Sequence, residues 1–147
     1  MPLAFENHFR RHDRILHAVV KQVGPFRLRP SRDRFGMLVR SIISQQISVG
    51  AARAIRARLE ELAGAEGINP HSILALRPDQ LRLVGLSRQK VSFLLDLAQR
   101  VDCNTLKLAR LGRLPDEEII NELTQVKGIG RWTAQMFLIF ALGREDV

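Results

Sequence analysis

The sequence contains a single cysteine, Cys103, among 147 residues. One cysteine excludes an intramolecular disulfide and any all-cysteine zinc or iron–sulfur centre within these residues. The four histidines follow no ligand spacing, because His8 and His12 share a helical face but no third ligand follows them. We therefore expect no metal site, and we expect a cytoplasmic or nucleoid-associated location.

The sequence also lacks long apolar runs, alternating strand patterns and low-complexity tracts. No run approaches the roughly 20 apolar residues that a membrane-spanning helix needs, and no charged-then-apolar leader precedes the first helix. We therefore expect no membrane association. Apolar residues make up 46% and charged residues 26% of the chain, which is ordinary for a globular protein. This length predicts one domain over residues 1–147.

Acidic residues are few relative to basic ones. Lysine and arginine number 23 against 15 aspartates and glutamates, which gives a net charge of +8. A basic excess of this size attracts polyanions, and nucleic acid is the commonest one for a globular protein. Charge alone leaves open a basic protein with no nucleic-acid partner.

Apolar residues recur with helical spacing along the whole chain, which predicts an all-α bundle. The first helix is expected from about Phe5 to Val23, with a stop at Gly24-Pro25. The apolar residues available for its core face are Phe9, Ile15, Leu16 and Val19. Capping serines and first-turn prolines predict later helix starts at Ser48, Pro70, Pro78, Ser87 and Pro115.

The segment from Leu123 to Ala134, LTQVKGIGRWTA, is the most informative part of the sequence. It predicts a helix, a tight Gly-x-Gly hairpin and a second helix, spanning residues 116–142 in all. The start of the second helix carries unpaired N–H groups and a partial positive charge, which suit a phosphate. Gly128 and Gly130 would allow both the turn and the close approach of another backbone. The hairpin is therefore predicted to clamp a nucleic-acid backbone.

This hairpin closely resembles the helix-hairpin-helix motif of the DNA glycosylase superfamily. The match is to its alkylation-repair branch, the DNA-3-methyladenine glycosylases of the second type. Two more segments of that family occur in the family's order, SIISQQIS at residues 41–48 and GLSRQK at residues 85–90, the latter leading into LLDLA. The resemblance runs from about His12 to Val147. It implies a monofunctional base-excision repair enzyme that hydrolyses the N-glycosidic bond of alkylated purines in double-stranded DNA.

The resemblance also implies roles for individual residues in gripping and opening the duplex. The residues expected to contact the DNA backbone are Lys127, Gly128, Ile129, Gly130, Arg131 and Thr133. The alternative for Lys127 and Arg131 is a solvated surface. Gln45 and Gln46 resemble the segment that inserts a wedge into the duplex, with Gln46 as the inserted side chain. The alternative for the two glutamines is local capping of a helix end.

Trp132 stands where the lyase branch of the superfamily has a nucleophilic lysine, which implies that water is the nucleophile here. The face of Trp132 suits a cationic alkylated purine, and Met136 is expected to line the same base pocket. The alternative for both residues is the hydrophobic core.

The family's catalytic aspartate is expected beyond Val147, since Asp146 lies too close to the preceding helix. The resemblance therefore implies an incomplete domain with no catalytic residue within the chain and with some apolar faces left exposed. It implies no cofactor, although a monovalent cation held by the hairpin carbonyls is compatible with it. The oligomeric state stays open. Two other functions also stay open: a non-catalytic DNA-binding module, and a helical interaction domain whose basic face is incidental.

Overall fold

The protein's structure, a computed structural model, describes residues 4–24 and 28–147, and in them it contains α-helices and no strand. The all-α prediction is therefore confirmed for these residues. The helices are α1 (Ala4–His12), α2 (Arg14–Val23), α3 (Arg34–Ser44), α4 (Val49–Ala63), α5 (Pro70–Ala75), α6 (Pro78–Leu83), α7 (Arg88–Asp102), α8 (Leu108–Leu111), α9 (Asp116–Leu123) and α10 (Arg131–Leu142). A short 3₁₀ turn, Gly64–Glu66, follows α4.

The expected first helix is wrong in two respects. It is two helices, because the side chain of Asp13 accepts the backbone N–H groups of Ile15 and Leu16, both at 3.0 Å, and so starts α2. Most of its expected core face is also exposed, since Ile15 is 78% and Val19 47% accessible, whereas Phe9 is half-buried. Helical periodicity identifies an apolar stripe but not whether another element covers it. The helix ends at Gly24 as expected, whereas Pro25 lies outside the described residues.

The later helix starts are set by local capping. The Ser48 hydroxyl accepts the N–H of Ala51, and the Ser87 hydroxyl accepts the N–H of Lys90, both at 3.2 Å. Pro70 and Pro78 occupy the first turns of α5 and α6, and Pro115 directly precedes α9. These predicted starts are confirmed, because each depends on only a few neighbouring residues.

The central helix is α3, which packs against α4, α7 and α10. Leu38 and Ile42 of α3 are fully buried together with Leu94 of α7 and with Phe137 and Leu138 of α10. As a result, the end of α3 and the hairpin between α9 and α10 both contact the same helix, α7.

Candidate nucleic-acid interface

The hairpin between α9 and α10 is held by its own backbone and by two buried side chains. The N–H of Val126 donates to Leu123 O and the N–H of Ile129 donates to Val126 O, each at 3.1 Å. The side chains of Val126 and Ile129 are buried in the core. The N–H of Ile129 is therefore used inside the turn. Ile129 supports the hairpin from within and does not offer this donor to a ligand, so its contact with a DNA backbone stays a prediction.

The two glycines of the hairpin have different surroundings. Gly128 has a φ of +79°, and a Cβ built on it would lie 2.1 Å from a ring atom of Phe93. Gly130 has a φ of −93°, and a Cβ there would meet nothing within 4 Å. Gly128 is thus needed for the turn and its packing, whereas the fold imposes no such demand at Gly130.

The start of α10 presents three backbone donors. Gly130 is its N-cap and supplies no side-chain cap, and the first turn contains no acidic residue. The first N–H with an acceptor is that of Ala134, which donates to Gly130 O at 3.0 Å. The N–H groups of Arg131, Trp132 and Thr133 have no acceptor among the described residues. Together with the positive end of the helix, these donors form a suitable site for one phosphate.

Lys127 and Arg131 differ in how free their side chains are. The side chain of Lys127 is exposed, while its backbone N–H donates to Asp96 Oδ2 at 2.9 Å. Arg131 forms a bidentate ion pair with Glu117 of α9, in which Nη1 lies 3.0 Å from Oε2. The pair lowers the pKa of Glu117 through its hydrogen bond with Arg131. A phosphate that binds Arg131 must therefore compete with Glu117.

The bond to Asp96 fastens the hairpin to α7. Burial raises the pKa of the Asp96 carboxyl. The hydrogen bonds from the Lys127 N–H and from Arg100 together lower it by a larger amount, so the pKa of Asp96 lies below its ordinary value. Arg100 Nε lies 3.0 Å from Asp96 Oδ2. Asp96 therefore stays ionised and accepts both donors at neutral pH.

The two glutamines predicted as a wedge have separate roles. Gln45 caps the end of α3, and its Nε2 donates to Gly128 O at 2.8 Å. Gln46 is exposed and adopts a left-handed backbone with a φ of +56°. Gln45 thus joins the turn after α3 to the hairpin, and only Gln46 is free to enter a duplex. The alternative of local capping describes Gln45.

Lys90 is a site residue to which the sequence analysis assigned no role. Its Nζ donates to Ile43 O at 2.6 Å and to Gln45 O at 2.7 Å. Burial lowers the pKa of this lysine. The segment GLSRQK contains it, but only the tertiary structure shows that it reaches the end of α3.

Trp132 and Met136 lie one turn apart on the same face of α10. Trp132 is 71% exposed, so the core alternative is wrong for this residue, and Met136 is half-buried. The side chain of Thr133, by contrast, is buried. A large exposed aromatic side chain directly after the hairpin is available to stack on a base.

Other chemistry is sparse in the part of the chain that the structure describes. It contains no group of three His, Cys, Asp or Glu residues placed to hold a metal ion. It also contains no helix long and apolar enough to cross a membrane. Cys103 is exposed at the end of α7, and Asp146 is exposed after α10.

The chain is similar to known proteins in sequence and in fold. DNA-3-methyladenine glycosylase 1 of Schizosaccharomyces pombe is 34% identical over 97% of this chain, which spans 64% of that protein. A crystal structure of a DNA-3-methyladenine glycosidase from Bacillus halodurans superposes with a TM-score of 0.86 at 32% identity, covering 99% of this chain and 67% of the other. The S. pombe 3-methyladenine DNA glycosylase bound to abasic DNA gives a TM-score of 0.75 at 34% identity, with 97% and 71% covered.

The chain therefore spans less than two thirds of the first of these relatives. The sequence profile of the family matches residues 39–143, which include α4 to α10 and most of α3. The chain belongs to the HhH-GPD superfamily of base excision DNA repair proteins.

Proposed function

We propose that the protein binds damaged double-stranded DNA and takes part in base-excision repair as a monofunctional glycosylase for alkylated purines. We call the turn after α3, formed by Gln45 and Gln46, the wedge turn. The observation that carries the proposal is the 2.8 Å bond from Gln45 Nε2 to Gly128 O, which joins this wedge turn to the hairpin. The relatives named DNA-3-methyladenine glycosylases support the choice of substrate. Such a protein would work where genomic DNA is kept, at the nucleoid in a bacterium.

We assign to the described residues the parts that base flipping requires. An enzyme that acts on a base in a duplex must first take that base out of the stack. The three free N–H groups at the start of α10 hold a phosphate, and Lys127 adds charge beside it. Gln46 fills the space that the base leaves, which offsets part of the unstacking cost of a few kcal/mol.

Trp132 then holds the flipped base. A purine alkylated on a ring nitrogen carries a positive charge, which the face of an indole attracts. Trp132 has no amine with which to form a Schiff base, so water attacks the sugar. The C1′–N bond breaks as a C1′–O bond forms; the base keeps the electrons of the broken bond and leaves neutral, and the proton of the attacking water passes to solvent.

The catalytic carboxylate belongs, on this proposal, to residues beyond Val147. The developing positive charge on the sugar needs a carboxylate nearby, and such electrostatic stabilisation is often the largest catalytic term. Asp146 is exposed and has no hydrogen-bond partner among the described residues. The second candidate function, a DNA-binding module without chemistry, would follow if no carboxylate completes the site.

The deciding experiment measures base release from alkylated duplex DNA by this chain and by a version extended with the following codons of its gene. Release by the extended protein, lost in its Trp132→Ala variant, is the expected result. DNA binding by both proteins without any release would establish the binding module instead. No binding at low salt would leave only an interaction domain with an incidental basic face.

A monovalent cation at the hairpin carbonyls is part of the same proposal. Val126 O, Gly128 O and Gly130 O each accept one hydrogen bond, the bond to Gly128 O coming from Gln45, and each keeps a second lone pair. Neutral oxygen ligands suit hard cations rather than transition metals. DNA affinity should therefore be higher in potassium than in tetramethylammonium chloride at equal ionic strength. Equal affinities would remove the cation from the interface.

A further inference from the structure

Lys90 binds the end of a neighbouring helix. It is the third residue of α7, and its ammonium lies 2.6 Å from Ile43 O and 2.7 Å from Gln45 O. The last carbonyls of a helix have no partner within it and carry partial negative charge. Lys90 therefore neutralises the end of α3 and holds the backbone of Gln45.

The same residue is connected to the hairpin through one further bond. Gln45 donates from its side chain to Gly128 O, while its carbonyl accepts Lys90. One turn along α7 from Lys90, Phe93 packs directly against Gly128. The wedge turn and the hairpin are thus held by adjacent turns of one helix.

We propose that Lys90 is a positioning residue that sets the place of Gln46 relative to the phosphate site at the start of α10. This rests on the proposed function, in which the hairpin and Gln46 engage DNA together. Gln46 follows the residue that Lys90 holds, so displacement of Gln45 moves the wedge while the donors of α10 stay in place. Without Lys90, the protein still binds a DNA backbone but no longer presents the wedge at the correct distance from it.

Two features of this turn are unfavourable for the stability of the fold, which favours a functional reason for them. Burying an ammonium group is unfavourable, as the lowered pKa of Lys90 reflects. A left-handed backbone at Gln46 is also unfavourable for a residue other than glycine. Costs of this kind persist mainly where the surroundings enforce them, and they cluster at functional sites.

The test compares affinity for a duplex containing a tetrahydrofuran abasic site with affinity for the undamaged duplex. Lys90→Met should reduce the preference for the abasic duplex by about tenfold, the equivalent of one charge-assisted hydrogen bond, and Gln46→Ala should do the same. Affinity for undamaged DNA should change less than about twofold, which is smaller than the effect expected from losing one charge-assisted hydrogen bond. The matched control is Lys107→Met, since Lys107 is an exposed lysine with no side-chain partner among the described residues.

A double variant separates positioning from simple stabilisation. The double variant Lys90→Met/Gln46→Ala should lose no more of the preference for the abasic duplex than the more impaired single variant does, because both changes remove the same wedge. Additive losses, or an unchanged preference in folded Lys90→Met, would overturn the proposal. Where Lys90→Met does not fold, Lys90→Arg keeps the cation but displaces Gln45, and it should lose the preference while remaining folded. Absence of any abasic preference in the unaltered protein would instead refute the proposed function.

Discussion

Replacing Gly128 by alanine should destabilise the protein by about 2–5 kcal/mol. The backbone there has a φ of +79°, which costs a residue with a Cβ about 1–2 kcal/mol. The new Cβ would also lie 2.1, 2.4 and 2.5 Å from three atoms of the Phe93 ring, far inside contact distance. Overpacking of this kind costs about 1–3 kcal/mol.

Urea unfolding followed by circular dichroism measures this loss, and Gly130→Ala is its matched control. Gly130 has open space around it and a φ of −93° that any residue adopts, so its stability should change by no more than about 0.5 kcal/mol. Gly130→Val should nevertheless weaken binding to all DNA sequences alike, because its side chain blocks the approach of a DNA backbone. The reasoning fails if Gly128→Ala is as stable as the unaltered protein, or if Gly130→Ala loses as much stability as Gly128→Ala.

The Phe93 contact can be tested separately from the backbone conformation. In the double variant Gly128→Ala/Phe93→Ala the steric part should disappear, which gives a coupling energy of about 1–3 kcal/mol in a double-mutant cycle. The cost of positive φ should remain. A coupling energy near zero would mean that the ring moves aside freely and that only the backbone conformation requires glycine.

Three further predictions concern charge and the base pocket. Asp96→Ala should lower stability more than Asp96→Asn, because asparagine still accepts the N–H of Lys127; urea midpoints measure both. The folded-state pKa of Asp96 is lowered, so its contribution is present above the unfolded pKa and is lost as pH falls through the folded pKa. A wild-type pH profile identical to that of Asp96→Asn would contradict this assignment. Glu117→Gln should free Arg131 and steepen the salt dependence of DNA binding by about one counterion, whereas an unchanged slope would leave Arg131 as solvated surface. Trp132→Ala should leave stability within about 0.5 kcal/mol, since the side chain is exposed, yet impair recognition of an alkylated base more than affinity for undamaged duplex. Equal loss of both affinities would remove Trp132 from the base pocket.

Local features of the site were predictable from the sequence because few neighbouring residues determine them. The caps at Ser48 and Ser87 and the left-handed turn at Gly128 follow from side chains within three or four positions. The contacts that assemble the site join residues far apart. The Gln45 bond spans 83 residues and the Lys90 bonds span 47 and 45. The periodicity of the sequence does not predict contacts between residues this far apart. For the same reason, the apolar stripe of α2 could not be predicted to be exposed.

Helix α7 fixes the position of the turn after α3 relative to the hairpin between α9 and α10. Lys90, Phe93 and Asp96 follow one another at intervals of three residues, and they hold the wedge turn, Gly128 and the N–H of Lys127 respectively. Residues three apart share a helical face, and the rise per residue makes the whole set about 9 Å long. Because a helix in this length range is stiff, the spacing between wedge and hairpin is set by the covalent geometry of α7 rather than by two flexible loops. If the site opens a duplex as proposed, at a defined distance from a bound phosphate, its accuracy comes from this support.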